Sequence, residues 1–153
     1  MTDLVLIRQI RARPMTVFGL LSTAEGLTSW WGPDDQPVLS AEADVRVGGT
    51  YRVLFRTPDG REHECAGAFL DIAPPERIVM TWRWTLGGEP GEMGRESRVE
   101  MHVRPNGTGT ELTLIHAGLR DEESRANHQW GWDGALDKLC KRWPSTGQQG
   151  ESA

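Results

Sequence analysis

The chain changes its hydrophobic period twice. Its first segment, Leu4–Ala12, is apolar and β-capable, with Val5, Ile7 and Ile10 among its larger side chains, and reads as a strand. Pro14 suits the first turn of a helix, where its missing N–H removes no hydrogen bond, and Val17, Phe18 and Leu21 follow at helical spacing. Ser22-Thr23-Ala24-Glu25 has the form of a capping box, with Ser22 as N-cap and Glu25 three positions later, and opens a second short helix. That helix is expected to end near Trp30-Trp31, because Gly32-Pro33 cannot continue it.

From about Pro37 to Ala117 the period becomes two. Leu39, Ala41, Ala43 and Val45 alternate with Ser40, Glu42, Asp44 and Arg46, and after Gly48-Gly49 the residues Tyr51, Val53 and Phe55 alternate with arginines. Asp59-Gly60 is a hairpin signal, beyond which His63, Cys65, Gly67 and Phe69 share a face opposite Glu62 and Glu64. Pro74-Pro75 is a rigid break, and then Ile78, Met80, Trp82 and Trp84 share one face. A longer loop from Gly87 to Gly94 precedes the alternation of Val99, Met101 and Val103, and Asn106-Gly107 turns the chain into Leu112, Leu114 and His116. The pattern predicts an antiparallel meander of about six strands, one face dry and one wet.

The last segment returns to helical spacing. Trp132, Leu136, Leu139 and Trp143 form a stripe, Asp121, Glu122 and Glu123 open it, and Lys138, Lys141 and Arg142 close it, each charge suiting its end of the helix dipole. Pro144 is expected to stop this helix. Gly131 and Gly134 weaken it unless they permit a close approach to another surface. Residues 1–144 therefore read as one α+β domain, with 145–153 as a polar tail. A curled meander with the amphipathic last helix across its dry face leaves space between the two, and such space is mostly apolar with a few polar groups.

Composition narrows the readings. The chain has 153 residues, 17 Lys+Arg against 22 Asp+Glu, and a net charge of −5, which speaks against a nucleic-acid or anionic-membrane partner. No apolar run is long enough for a membrane span, and the N-terminus lacks the pattern of a secretory signal. Two cysteines make no disulfide framework, so reduced thiols and a cytoplasmic location are expected, and the sequon Asn106-Gly107-Thr108 is expected to carry no glycan. Seven tryptophans supply much of the apolar area.

Several stretches, spread in order over nearly the whole chain, carry a resemblance. They are Trp30-Trp31-Gly32-Pro33, Asp44 to Arg52, Gly67 to Ile72, Pro75-Glu76-Arg77, Thr81-Trp82-Arg83-Trp84, Gly109 to His116, and Gly131-Trp132. In these the chain resembles the START-like, or Bet v 1-like, superfamily, also named SRPBCC, and within it the family of the activator of Hsp90 ATPase homologue 1. The resemblance implies the helix-grip fold: a curved antiparallel sheet of about six to seven strands wrapped on a long C-terminal helix, with two short helices after the first strand. It also implies a choice of functions, because relatives bind hydrophobic small molecules, some cyclise polyketides, and one branch stimulates Hsp90. The eukaryotic activator carries a separate N-terminal domain for much of its chaperone contact. This chain has no room for one before Met1, so Hsp90 contact is not expected.

Three readings follow. In the first, a hydrophobic small molecule binds between sheet and last helix, lined by Trp31, Tyr51, Phe55, Phe69, Met80, Trp82, Trp84, Met101 and His116. Trp82 and Trp84 lie two apart and project from one face, either as a wall for a ligand or as core filling. Trp132 belongs to the helix stripe and reads as packing. In the second reading the protein is a polyketide cyclase or dehydratase, with an inward His116 as acid or base; the alternative for that residue is a histidine satisfied by a backbone group. The third is a protein-interaction module, homodimerisation included. His63 and Cys65 share a face, yet no second ligand pair has metal-site spacing, so neither metal nor cofactor is expected. Asp44, Arg46 and Arg52 read as a charge network at the Gly48-Gly49 bend. No phosphate-binding Gly-rich loop and no Gly-x-Ser-x-Gly elbow occurs.

Overall fold

The computed structural model describes residues 2–32 and 38–143. In chain order the elements are β1 (Thr2–Ile10), α1 (Pro14–Leu21), α2 (Ala24–Trp30), β2 (Val38–Ala43), β3 (Thr50–Arg56), β4 (Glu62–Ala73), β5 (Arg77–Leu86), β6 (Ser97–Asn106), β7 (Gly109–Leu119) and α3 (Glu122–Lys141). The strands form one antiparallel sheet in the order β1-β7-β6-β5-β4-β3-β2. Strands β2 to β7 are a plain meander, as their turn residues require, and β1 returns to pair with β7, placing Val5 opposite Ile115. Together with α3 and the two short helices this is the helix-grip arrangement, α+β in class. No helix is long and apolar enough to cross a membrane among the described residues.

The period-two pattern sets the inner face. Tyr51, Val53 and Phe55, then Ile78, Met80 and Trp82, then Val99, Met101 and Val103, then Leu112, Leu114 and His116 are all buried, while their neighbours in sequence are at least partly exposed. Each apolar side chain so buried contributes about 1.5–3 kcal/mol. Helix α3 covers this face with Trp132, Ala135, Leu136 and Leu139. Polar contacts fix its position: Arg8 on β1 meets Asp133 at 2.7 Å, and Lys138 Nζ donates to the Trp31 carbonyl at 2.9 Å. At its N-terminus the Asp121 carboxylate accepts from the Ser124 N–H at 2.8 Å, the N-cap contact that an acidic opening favours.

Several local expectations shift. The first strand runs Thr2–Ile10, two residues earlier than its composition suggested. The N-cap of α2 is Thr23, whose Oγ1 accepts from the Gly26 N–H at 2.9 Å; Ser22 instead ends α1, donating to the Phe18 carbonyl at 2.7 Å. Either hydroxyl suits the cap, and the one-residue difference arises because α1 runs on through Leu21. In β2 a bulge between Val38 and Ser40 turns Leu39 outward and leaves Val38 against the core. The charge network divides: Arg46 pairs with Asp44 at 2.8 Å, whereas Arg52 reaches across strands to Glu42 at 3.1 Å and Glu64 at 3.5 Å. Helix α3 ends at Lys141, and Trp143 packs on the core from the turn that follows. Pro33, Pro37, Pro144 and the tail 145–153 lie outside the described residues. Gly67 is required where β4 crosses β5, since a Cβ there would stand 2.0 Å from the Thr81 carbonyl oxygen.

Candidate functional site

The interface between the sheet and α3 has two ends. At the inner end, tryptophans from three elements converge because α2 closes on Trp30-Trp31, β5 projects Trp82, and the α3 stripe supplies Trp132. Trp31 stacks on Trp82 with centroids 5.5 Å apart and planes at 22°, and Trp132 lies 5.1 Å from Trp82 and 5.3 Å from Trp31. All four rings are buried. The hollow interior expected from the sequence is therefore largely filled by indoles. What remains is a cleft of about 40 Å³ bounded by Trp31, Gly32, Phe55, Trp82, Trp84 and Trp132, among others, with space for roughly a water molecule or two. Gly131 of α3 also borders it, and a Cβ at that position would meet nothing within 4 Å. That glycine thus leaves a gap, where a close approach of helix to sheet had been expected.

Two histidines sit behind and beside the indoles, each committed at both ring nitrogens. The Trp132 indole N–H donates to His116 Nδ1 at 3.0 Å, so the His116 proton sits on Nε2, directed at Ser97 Oγ at 2.8 Å. In the same way the Trp84 indole N–H donates to His128 Nε2 at 3.0 Å, and His128 Nδ1 lies 2.8 Å from the Ser124 carbonyl and donates to it. The rings lie 4.9 Å apart in an edge-to-face arrangement. Burial, reinforced by the neighbouring His128, holds His116 well below the usual histidine range; burial lowers His128 too, opposed by the Ser124 carbonyl and Glu92. Both imidazoles are neutral at pH 7. His116 is satisfied by side chains and not by a backbone group, is 0% exposed, and presents no unoccupied nitrogen to an incoming molecule. Trp82 Nε1, by contrast, is the one fully buried side-chain N or O atom without a hydrogen-bond partner among the described residues.

The outer end is open. Here a recess of about 230 Å³ lies between the ends of β3 and β5, the turn from Gly87 to Glu92, and the first half of α3. Phe55, Trp84 and Trp130 supply its aromatic rings, His63 and His128 its imidazoles, Thr57, Ser124 and Asn127 its neutral polar groups, and Glu89 and Glu92 its carboxylates. Phe55, Trp84 and His128 border both recess and cleft, so the two spaces adjoin. Glu92 is buried, with Oε2 held by Arg120 Nε at 2.9 Å, and the turn is pinned by the Gly94 N–H donating to the Trp84 carbonyl at 2.9 Å. Trp130 is 59% exposed on α3, although it borders this recess.

The nine residues expected to line a ligand site divide accordingly. Phe55 and Trp84 border the recess, and Trp31 and Trp82 border the cleft. Tyr51, Phe69, Met80 and Met101 are packed in the core; Tyr51, for example, donates its hydroxyl to the Thr81 carbonyl at 2.6 Å. His63 and Cys65 do not converge on a shared point: His63 contacts Thr57 Oγ1 and the Gly87 carbonyl, while burial pushes the Cys65 thiol strongly up and keeps it protonated. No group of three metal-ligating side chains occurs among the described residues. Sequence reasoning missed the polar lining of the recess, Glu89 and Glu92 included, and with it His128 and Trp130. His128 lies four before Trp132 and extends the same helical stripe, a signal that was present; Trp130 lies off the stripe and had none.

Comparison with known proteins agrees with this architecture. The model of the family described as Activator of Hsp90 ATPase homolog 1-like protein matches residues 11–142. Among solved structures, the AHSA1 protein from Silicibacter pomeroyi is similar at 29% identity and a TM-score of 0.78, covering 92% of this chain and 96% of that one. A protein from Chromobacterium violaceum shares the fold at 24% identity, a TM-score of 0.77, and 94% and 98% coverage. CalU16 from Micromonospora echinospora shares it at 24% identity and a TM-score of 0.65, with 90% and 73% coverage. No curated protein matches.

Proposed function

Because the chain belongs to the Activator of Hsp90 ATPase homolog 1-like family, whose fold commonly binds hydrophobic ligands, we propose that it binds a small hydrophobic molecule at the outer recess. The observation that carries this reading is Trp130. A tryptophan with most of its surface in water contributes little to packing, yet this one stands beside Phe55 and Trp84 at the rim of a concavity. The recess and its adjoining cleft are smaller than the roughly 300–1,000 Å³ of sites for drug-sized ligands, so the fitting body is one or two fused rings or a short alkyl chain. Binding, and not acid–base chemistry, is favoured because His116, the inward histidine considered for catalysis, has both nitrogens occupied.

Tryptophan fluorescence and calorimetry with a panel of bicyclic aromatics and medium-chain alcohols test the reading. At least one member is expected to bind saturably, and Trp130→Ala to weaken it about 5- to 30-fold, as loss of a ring contact of about 1–2 kcal/mol requires, with thermal stability nearly unchanged. A panel without a single saturable binder, or affinity indifferent to Trp130, would overturn it.

A further inference from the structure

Resting on that reading of the outer recess, we propose that the molecule taken there is a cation, a flat apolar body carrying an amine or another positively charged nitrogen. The charged groups at the mouth have one dominant sign. The recess wall contains Glu89 and Glu92 and neither lysine nor arginine. Just outside it, Arg120 is shared between Glu92 at 2.9 Å and Asp121 at 3.2 Å, and Glu123 adds a further negative field on the same guanidinium. Arg120 thus faces three carboxylates, in a chain whose net charge is already −5, while Arg95 lines a neighbouring crevice with Glu92 and is not on the recess wall.

The geometry suits a charged nitrogen better than a hydroxyl alone. Arg120 holds Oε2 of Glu92, and no hydrogen bond reaches Oε1 from any described residue. The carboxylate is therefore oriented but half uncommitted, in a buried position where an ionic hydrogen bond is stronger than in water. Phe55, Trp84 and Trp130 line the same space, and aromatic faces attract cations through their quadrupole. His128 is neutral and already bonded to Trp84, so it supplies no opposing charge. A carboxylate or phosphate in the same place would meet Glu89 and Glu92 with neither lysine nor arginine on the wall to receive it.

Three probes of one size separate charge from shape: 2-naphthylmethylamine, 2-naphthylmethanol and 2-naphthoate, titrated calorimetrically against the intact protein at pH 7. The amine is expected to bind about tenfold more tightly than the alcohol, with the naphthoate weakest, and the gap to shrink in about 0.5 M salt. Glu89→Gln, at an exposed position, is expected to reduce the amine's affinity about threefold and the alcohol's by less, so that the gap between the two narrows. Equal affinities for amine and alcohol, or preference for the naphthoate, would overturn the charge assignment while leaving the recess as a hydrophobic site. Failure of all three to bind would instead remove the site on which the assignment rests.

Discussion

The two ends of the sheet–helix interface use the same residue type for opposite purposes. Trp31, Trp82 and Trp132 at the inner end meet other rings on several sides and leave a cleft of about 40 Å³. Trp84 and Trp130 at the outer end each keep part of a ring free, beside a recess of about 230 Å³. The histidines repeat the contrast. Each accepts one indole N–H, but His116 is sealed within the core, whereas His128 stands at the boundary between cleft and recess. An aromatic residue becomes core or site according to how many of its faces the fold covers, and that is decided by neighbours from other elements.

If the inner end is packing, its loss costs stability. Trp132→Ala removes a buried indole and leaves His116 Nδ1 without a donor, and is expected to cost about 3–5 kcal/mol in chemical denaturation. A loss below about 1 kcal/mol would show that the inner rings are dispensable.

The histidines predict a pH dependence with a definite sign. An unfolded histidine titrates near 6.5, and both folded values lie lower, so the unfolded state binds more protons over that interval. Stability is then complete above about pH 7.5, falls as pH drops through about 6.5, and levels off below the folded values; each unit of separation is worth about 1.4 kcal/mol. Melting temperatures between pH 8 and 5 check this. His116→Gln is expected to flatten the profile more than His128→Gln, because His116 is held lower.

A finer comparison sets two inner indoles against each other. Trp132→Phe breaks the bond to His116, while Trp82→Phe removes an N–H that had no partner. The first is expected to cost about 1–2 kcal/mol more than the second, since only it leaves a buried group newly unsatisfied. Equal losses would mean the indole–imidazole bond contributes nothing net.

The smallest effect is a gain. Gly131→Ala adds a methyl group to open space on α3 and is expected to raise stability by about 0.5–1 kcal/mol, measured by thermal melting, through helix propensity. The same methyl narrows the cleft. A ligand whose affinity is unchanged in this variant sits wholly in the outer recess, which sharpens the boundary between the two ends.

Much of this was legible in the chain itself. Alternation from Tyr51 to His116 gave the inner face of every strand it covered, because a side-chain period of two leaves one dry face only. The stripe through Trp132, Leu136 and Leu139 and the acidic opening at Asp121 placed α3. Where two adjacent hydroxyls could each serve as a cap, as Ser22 and Thr23 could, or where a bulge intervened, as at Leu39, local pattern was insufficient.

From Tyr51 to His116 and along α3, sequence alone determined which side chains face inward, since that follows from backbone periodicity; the bulge at Leu39 did not follow from it. Tertiary structure decided which of them are enclosed by other rings and which border open space. That outcome depends on distances between α2, β5 and α3, elements far apart along the chain, and on how their summed volumes fill the gap. Hence Met80 and Met101, inward by pattern, are core, while Trp130, off the stripe, stands at the mouth.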